Sequence, residues 1–328
     1  MIESPSPLIS VIVVTWNAKR YVDECVRSLG ANTEVPAEFI VVDNASTDGT
    51  PELIEQVLPG VRLIRNRENL GFAKANNTGI AQSQGKYLFL VNSDVTIPKG
   101  CMSNLVAYME ANPDVGMAGP RMLGTNGEVR RSTMRFPTVW NQFCRAAGLD
   151  AVFKHSRWVG GFLMADFAHN LTRDVEVLNG WFWVVRREAL EEVGLMDERF
   201  FIYGEDIDWC YRFFKAGWRR VFFAGAAALH YGGASSAAAP VRFHIEMQKA
   251  NAQFWAKHHG ALGSAAYYGM TVIHEVIRVI GHGIAYLLRP RARAESAHKV
   301  LRSLALLRWL ACNAPALNVA AAATLVRG

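Results

Sequence analysis

A chain of 328 residues, 51% apolar and 20% charged, can bury one large α/β core plus an appendage, which excludes a disordered chain and a small disulfide-stapled scaffold. Its five cysteines lie far apart without a C-x-x-C pair, the pattern of a reducing compartment, and offer no thiolate metal site. The net charge of +6 is unevenly placed: 24 Lys/Arg stand against 26 Asp/Glu up to residue 240, and eleven against three from residue 241 onward.

The first residues lack a basic stretch followed by an apolar one, so no signal peptide is expected. Residues 8–15 (LISVIVVT) form a continuous β-branched run, which predicts a strand buried on both faces of a parallel sheet. The run breaks at Trp16-Asn17-Ala18, and Tyr21, Val22, Cys25, Val26 and Leu29 follow at helical spacing. Residues 39–42 predict a second strand that ends in Asp43-Asn44-Ala45-Ser46, with Pro51 opening the next helix in its first turn. A third strand is expected over 61–64, then Asn69-Leu70-Gly71-Phe72 and a helix through Lys74 and Ile80. The fourth, 87–91, stops abruptly in Asn92-Ser93-Asp94. Strands alternate with helices throughout, which argues for a doubly wound, mostly parallel sheet.

A buried strand ending in Asn-Ser-Asp sets a carboxylate at the carboxyl edge of the sheet, where open α/β sheets take their ligands. A short oxygen ligand there suits Mg²⁺ or Mn²⁺ beside a diphosphate, although the same strand end also serves as an Asx turn capping a helix. Residues 120–175 are irregular. Order returns at 177–186 (VLNGWFWVVR), an apolar segment interrupted by Gly180, and a helix is expected over Arg187–Val193. Gly204 then breaks the chain ahead of Glu205-Asp206. Carboxylates in a first helical turn complement the helix dipole, but apolar flanks would desolvate one of them, raise its pKa and suit it to act as a base. A further strand covers 219–223, and a lone histidine, His230, ends the domain.

Five motifs in a fixed order carry a resemblance: VVTWNAKRYVDECVRSL, VVDNASTDGT, NLGFAKANNTGI, FLVNSDV, and DERFFIYGEDIDWCYRFFKAGWR with LHYGGAS behind it. Over residues 8–236 the chain resembles the family-2 glycosyltransferases, enzymes of GT-A fold that use nucleotide-sugars, and within them a rhamnosyltransferase-like branch acting on lipid-linked or polysaccharide acceptors. The resemblance implies that Thr15, Trp16 and Asn17 line the nucleotide site and that Asp43 accepts the base N3–H of uracil or thymine. It implies that Asn69 and Lys74 border the base, ribose and phosphates, and that Asn92, Ser93 and Asp94 replace the family's D-x-D motif, with Asp94 binding the divalent cation. Asn92 stands where the family has Asp, so one negative charge is missing. His230 matches a histidine that completes the metal shell in some members. The implied mechanism is an inverting displacement with Asp206 as general base and Glu205 orienting it or binding an acceptor hydroxyl. Trp181 and Trp183 would stack on the acceptor sugar, or else lie in a strand between two cores.

The motifs leave out residues 241–328, so a catalytic domain over 1–240 and a basic helical region over 241–328 are expected. Residues 265–288 are about the length of a membrane span but include His274, Glu275, Arg278 and His282. An ionised Arg in mid-span is costly, and one polar stripe fits a helix lying in the headgroup plane at the cytoplasmic face of the cell membrane. The alternative is a helical hairpin packed on the core or on a second copy of the chain. Nucleic acid is not expected as a partner, because the cations alternate with broad apolar faces. The partners expected are a dTDP- or UDP-sugar, a lipid-linked saccharide acceptor and an anionic membrane surface. A dinucleotide-dependent oxidoreductase would read G-x-G-x-x-G after its first strand, where this chain has Thr15-Trp16-Asn17-Ala18-Lys19. A non-catalytic binding protein on the same fold is compatible with Asn92, but Asp94, Glu205, Asp206 and His230 argue against it.

Overall fold

The computed structural model describes residues 7–153, 155–232 and 240–313. Gly233, Ala234 and Ser235 of the last motif, and the end of the basic tail, lie outside the described residues. The chain divides into two compact units, one built from residues 1–135 and 168–237 and the other from 136–167 and 238–328. The irregular stretch in the middle of the sequence is thus shared between them.

The first unit opens with alternating strands and helices: β1 (Ile9–Thr15), α1 (Lys19–Asn32), β2 (Ala37–Asp43), α2 (Thr50–Val57), β3 (Arg62–Arg65), α3 (Phe72–Ala81), β4 (Tyr87–Asn92), β5 (Val95–Thr96), α4 (Cys101–Ala111) and β6 (Val115–Leu123). Short strands β7 (Val129–Arg130) and β8 (Thr133–Met134) follow. After helices α5 (Val139–Ala146) and α6 (Leu149–Val152) of the other unit come β9 (Arg173–Asp174), β10 (Val177–Leu178), β11 (Phe182–Arg186), α7 (Arg187–Val193), α8 (Glu205–Lys215) and β12 (Arg219–His230). The main sheet runs β3-β2-β1-β4-β11-β6-β12-β5. Strands β3, β2, β1 and β4 are parallel, whereas β11 is antiparallel to both β4 and β6.

The apolar run of β1 has no solvent-facing side, and all but one of its seven residues are buried. On α1, Val22, Cys25, Val26 and Leu29 fill the core, as their spacing predicts. The register matters more for function. Thr15 pairs with Asp43 and Val14 with Asn92, so the carboxyl ends of β1, β2 and β4 finish level at one sheet edge.

Strand β12 extends seven residues beyond the expected end, through a bulge between Phe223 and Ala227, and reaches back to pair antiparallel with β5. The Ala-Gly composition of 224–228 lacks the β-branched and aromatic residues that signal a strand, which is why the sequence conceals this half of it.

In the helical unit, α5 begins with a capping box between Thr138 and Asn141. Helix α9 (Pro240–Leu288) is broken by Gly260 at φ 65°, ψ −161°, and α10 (Arg293–Asn313) packs along it. Met247, Ala250, Phe254 and Trp255 have the spacing of one helical face; Ala250, Phe254 and Trp255 are buried, Met247 is half-buried, and Trp255 stacks on Tyr267 beyond the break. Residues 241–288 are long and apolar enough to cross a membrane by length and composition. One expectation is reversed here. The stripe of His274, Arg278 and His282 is half-buried instead of facing outward, with His274 Nδ1 3.3 Å from the Ala146 carbonyl and the neighbouring Glu275 fully buried, while Ile273, Ile277, Ile280 and Ile284 are exposed.

Gly71 positions the loop that leads into α8. Its φ is +84°, and a Cβ there would lie 2.4 Å from the Phe201 carbonyl oxygen, which also accepts the Phe72 amide at 2.7 Å. Gly60 has φ +85° with nothing within 4 Å. Gly60→Ala should therefore cost about 1–3 kcal/mol in left-handed backbone strain alone, and Gly71→Ala distinctly more. Urea denaturation midpoints of the two variants measure the difference.

Candidate active site

The level sheet edge is the first part of the site. Asp43 is buried; its Oδ2 accepts the Ser46 amide at 3.0 Å, while its Oδ1 has no hydrogen-bond partner. The Thr15 hydroxyl on the neighbouring strand is likewise buried and unpartnered. Buried oxygens left without a partner are costly, so two of them side by side at a ligand-binding edge are a reason to expect a donor from outside the chain.

Asn17, at φ 47°, ties the first two loops together: its amide donates to Ser46 Oγ at 2.8 Å and its Oδ1 accepts the Thr47 amide at 2.8 Å. Its side-chain oxygen is thereby committed to the loop, and Trp16 beside it is exposed. Asn69 is also a loop-former, since its Oδ1 accepts the Gly71 amide at 3.0 Å and the Asn44 side chain at 3.1 Å. Lys74 is exposed on α3.

Asn44 escaped the sequence reading. It is buried, and its side chain donates to Asn69 Oδ1 and the Gly71 carbonyl, both at 3.1 Å, and accepts from Asn66 Nδ2 at 2.9 Å. One amide thus holds the loops after β2 and β3 in register. The signal available in the sequence was an Asn directly after the strand-ending Asp43.

The second part of the site forms where β12 meets β5. His230 pairs with Val95, which carries the imidazole to the residue before Val95, Asp94. His230 Nε2 lies 3.2 Å from Asp94 Oδ1, and Asp94 Oδ2 accepts the Gly232 amide at 3.0 Å. Burial alone would raise the Asp94 pKa, but the His230 bond and charge and the Gly232 amide outweigh it and hold the carboxyl below the usual range. Trp181 stacks on His230 with ring centroids 5.4 Å apart, and its carbonyl accepts the Asn92 amide at 3.0 Å.

The third part is the start of α8. Gly204, at φ 80°, turns the chain so that Glu205 and Asp206 open the helix. Glu205 is buried with Oε2 unpartnered, and Asp206 is half-buried, its Oδ1 accepting the Ile207 amide at 2.8 Å. Burial raises both carboxyl pKa values, with the Asp206 charge adding to the effect at Glu205, while the amides of Ile207 and Gly180 hold Asp206 back. A Cβ at Gly180 would lie 3.6 Å from that of Asp206. Residues 180 and 181, neighbours in the chain, therefore touch Asp206 on one side and Asn92 and His230 on the other. The structure brings Asn92, Asp94, Trp181, Asp206 and His230 together, with Ser93 in the turn between β4 and β5.

The acceptor-platform expectation does not carry to Trp183. It is 1% exposed, its indole donates to the Leu178 carbonyl at 3.1 Å, and it packs edge-on against Trp209. The ring lies in the core between β11 and α8, against Trp209. Trp181 is also buried, with one face on His230.

Among the described residues no group of three His, Cys, Asp or Glu side chains is arranged to hold a metal ion. Asp94 and His230 nevertheless form a pair of one hard oxygen and one imidazole nitrogen, both largely buried, at the edge where the strands end. Such a donor set fits Mn²⁺ or Mg²⁺ when a diphosphate and water supply the remaining oxygens.

The family profile for glycosyl transferase family 2 matches residues 10–194. The chain is 30% identical over 263 residues to an N-acetylglucosaminyl-diphospho-decaprenol L-rhamnosyltransferase of Mycobacterium tuberculosis, an alignment covering 77% of this chain and 85% of that one. It is 33% identical over 116 residues to an uncharacterized glycosyltransferase of Haemophilus influenzae, covering 34% of this chain and 36% of the relative. A solved structure similar in fold is the mannosyltransferase PcManGT of Pyrobaculum calidifontis in complex with GDP-Man and Mn²⁺, at TM-score 0.52 and 17% identity, covering 93% of this chain and 88% of the other. With the ordered motifs, the GT-A architecture and the profile match in agreement, the chain belongs to glycosyl transferase family 2.

Proposed function

We propose that this glycosyltransferase moves a hexosyl group, rhamnose first, from a dTDP- or UDP-activated donor to a hydroxyl of a lipid-linked saccharide in cell-envelope polysaccharide synthesis, with inversion at the anomeric carbon. The observation that carries the reading is the continuity Asp94–His230–Trp181–Gly180–Asp206, which sets an anion-side pair and a desolvated base on either side of two consecutive residues. The L-rhamnosyltransferase name of the 30% identical relative favours rhamnose and a lipid diphosphate acceptor. A UDP-hexose donor is the second reading, because Asp43 meets the N3–H edge that uracil and thymine share.

In this mechanism Asp43 and Thr15 receive the base, and Asn44 holds the loops around it. Asp206 takes the proton of the acceptor hydroxyl as that oxygen attacks the anomeric carbon, and the nucleoside diphosphate departs on the opposite face. Burial and the neighbouring Asp206 charge push the Glu205 carboxyl well above its ordinary range, while backbone amides hold Asp206 back, which favours Asp206 as the ionised member of the pair. Asp94 and His230 would hold a divalent cation, which would neutralise charge on the leaving diphosphate.

Membrane association at the cytoplasmic face rests on the exposed apolar residues of α9 and on Arg289, Arg291 and Arg293 directly after it. Each cation near an anionic surface contributes about 1 kcal/mol.

Asp206→Asn should leave nucleotide binding intact by calorimetry and lower transfer ~10²–10⁴-fold. Near-normal turnover would remove Asp206 from its role. Because the Asp206 pKa is raised, kcat/KM should fall on acidification with a midpoint above the ordinary Asp value of about 3.9. A pH–rate profile breaking at or below that value contradicts the assignment. Asn92→Asp restores the missing carboxylate and should lower the Mn²⁺ concentration giving half-maximal activity severalfold; an unchanged concentration would place residue 92 outside the cation's reach.

A further inference from the structure

The helical unit contains a cavity of about 200 Å³ whose lining is cationic. Arg145 from α5, Arg278 and His274 from the second half of α9, His244 from the first half and Arg302 from α10 all face it, and no acidic side chain lines it. Glu275 is the carboxylate nearby, fully buried, 3.5 Å from His244 Nε2 and 3.8 Å from Arg278 Nε. Both contacts are longer than hydrogen bonds, and both carboxylate oxygens lack a hydrogen-bond partner. Burial would raise the Glu275 pKa, but His244, Ser303 and the Arg278 charge hold it at about 2, so it is ionised. One carboxylate thus stands against three guanidinium groups.

Part of this donor set is not satisfied from within. Arg278 Nε, Arg302 Nε and His244 Nε2 are buried without a hydrogen-bond partner, and His244 is 9% exposed. Leaving one buried donor unpaired costs about 1–3 kcal/mol, more when it is charged. The two halves of α9 and helix α10 each bring a nitrogen without a hydrogen-bond partner to one cavity, the pattern of a site lacking its anion. Guanidinium forks match phosphoryl oxygens in pairs, and the volume exceeds several times the roughly 30 Å³ share of a water molecule, enough for a phosphoryl group.

We propose that this cavity binds a phosphoryl group, as a lipid phosphate headgroup or as a free phosphate or pyrophosphate anion, at a site separate from the nucleotide edge of the sheet. The inference rests on the helical unit alone and does not depend on the glycosyl-transfer reading.

Met247 and Met270 line the cavity, which gives a local probe. The full chain, labelled with ¹³C at its methionine methyls and kept in EDTA, is titrated with sodium pyrophosphate and, separately, with dihexanoyl phosphatidate. The Met247 and Met270 resonances should shift saturably with a midpoint of about millimolar or tighter. A response to phosphatidate at lower concentration assigns the lipid source, and one to pyrophosphate alone assigns the free anion. Arg145→Gln/Arg302→Gln should weaken the midpoint at least ~10-fold. Should that pair fail to fold, Arg145→Lys/Arg302→Lys keeps the charge, loses the fork and should weaken binding by a smaller factor. Absence of shifts at these two methyls with both probes, or shifts undiminished in the folded variants, overturns the site.

Discussion

The site depends on one backbone pairing. Strand β5 is two residues long, and its antiparallel bonds to the end of β12 bring His230 beside Val95 and hence onto Asp94, 136 positions earlier in the chain. Arg130 fixes the far side of the junction by donating to the carbonyls of His230 and Tyr231. Tyr231 Oη reaches Glu24 on α1, so the end of the long strand is anchored to the opening of the fold. If β12 stopped where its apolar residues stop, the carboxylate and imidazole would not meet.

From that junction, packing carries the geometry to Asp206. Trp181 fills the space against His230, and its backbone carbonyl takes the Asn92 amide. The glycine before it allows Asp206 close approach. The antiparallel insertion of β11 between β4 and β6 makes this arrangement possible, because its amino end lies at the carboxyl edge of β4. Burial then sets Asp94 and the Glu205–Asp206 pair in opposite directions: hydrogen bonds and an imidazole outweigh desolvation at the first, and desolvation dominates at the second. A separation of pKa values of this kind is what the proposed anion-side and base roles require.

The alternating first half was legible because its strands are short apolar runs that stop at polar residues, which placed Asn92, Ser93 and Asp94 at the carboxyl edge; Thr15 and Asp43 were drawn to the site by the ordered motifs. The roles of Asn17, Asn44 and Asn69 as loop ties were not legible, since side-chain amides acquire partners only in three dimensions. Trp183 reads the same as Trp181 in sequence, and both rings are buried; only their three-dimensional partners, His230 for the first and Trp209 for the second, tell them apart. In the tail the i, i+4 stripe was visible, but its direction was not. Its polarity suggested a headgroup plane, whereas Glu275 beside it is buried 3.5 Å from His244 and 3.8 Å from Arg278 and the apolar residues face outward.

The most direct test of the pairing of Asp94 with His230 is pulsed electron paramagnetic resonance on Mn²⁺ added to the protein with UDP or dTDP. A single Mn²⁺ coupled both to ³¹P of the diphosphate and to ¹⁴N of one imidazole, the nitrogen coupling vanishing in His230→Gln, is the predicted result. Phosphorus coupling without nitrogen, or nitrogen coupling that survives in His230→Gln, would contradict the account.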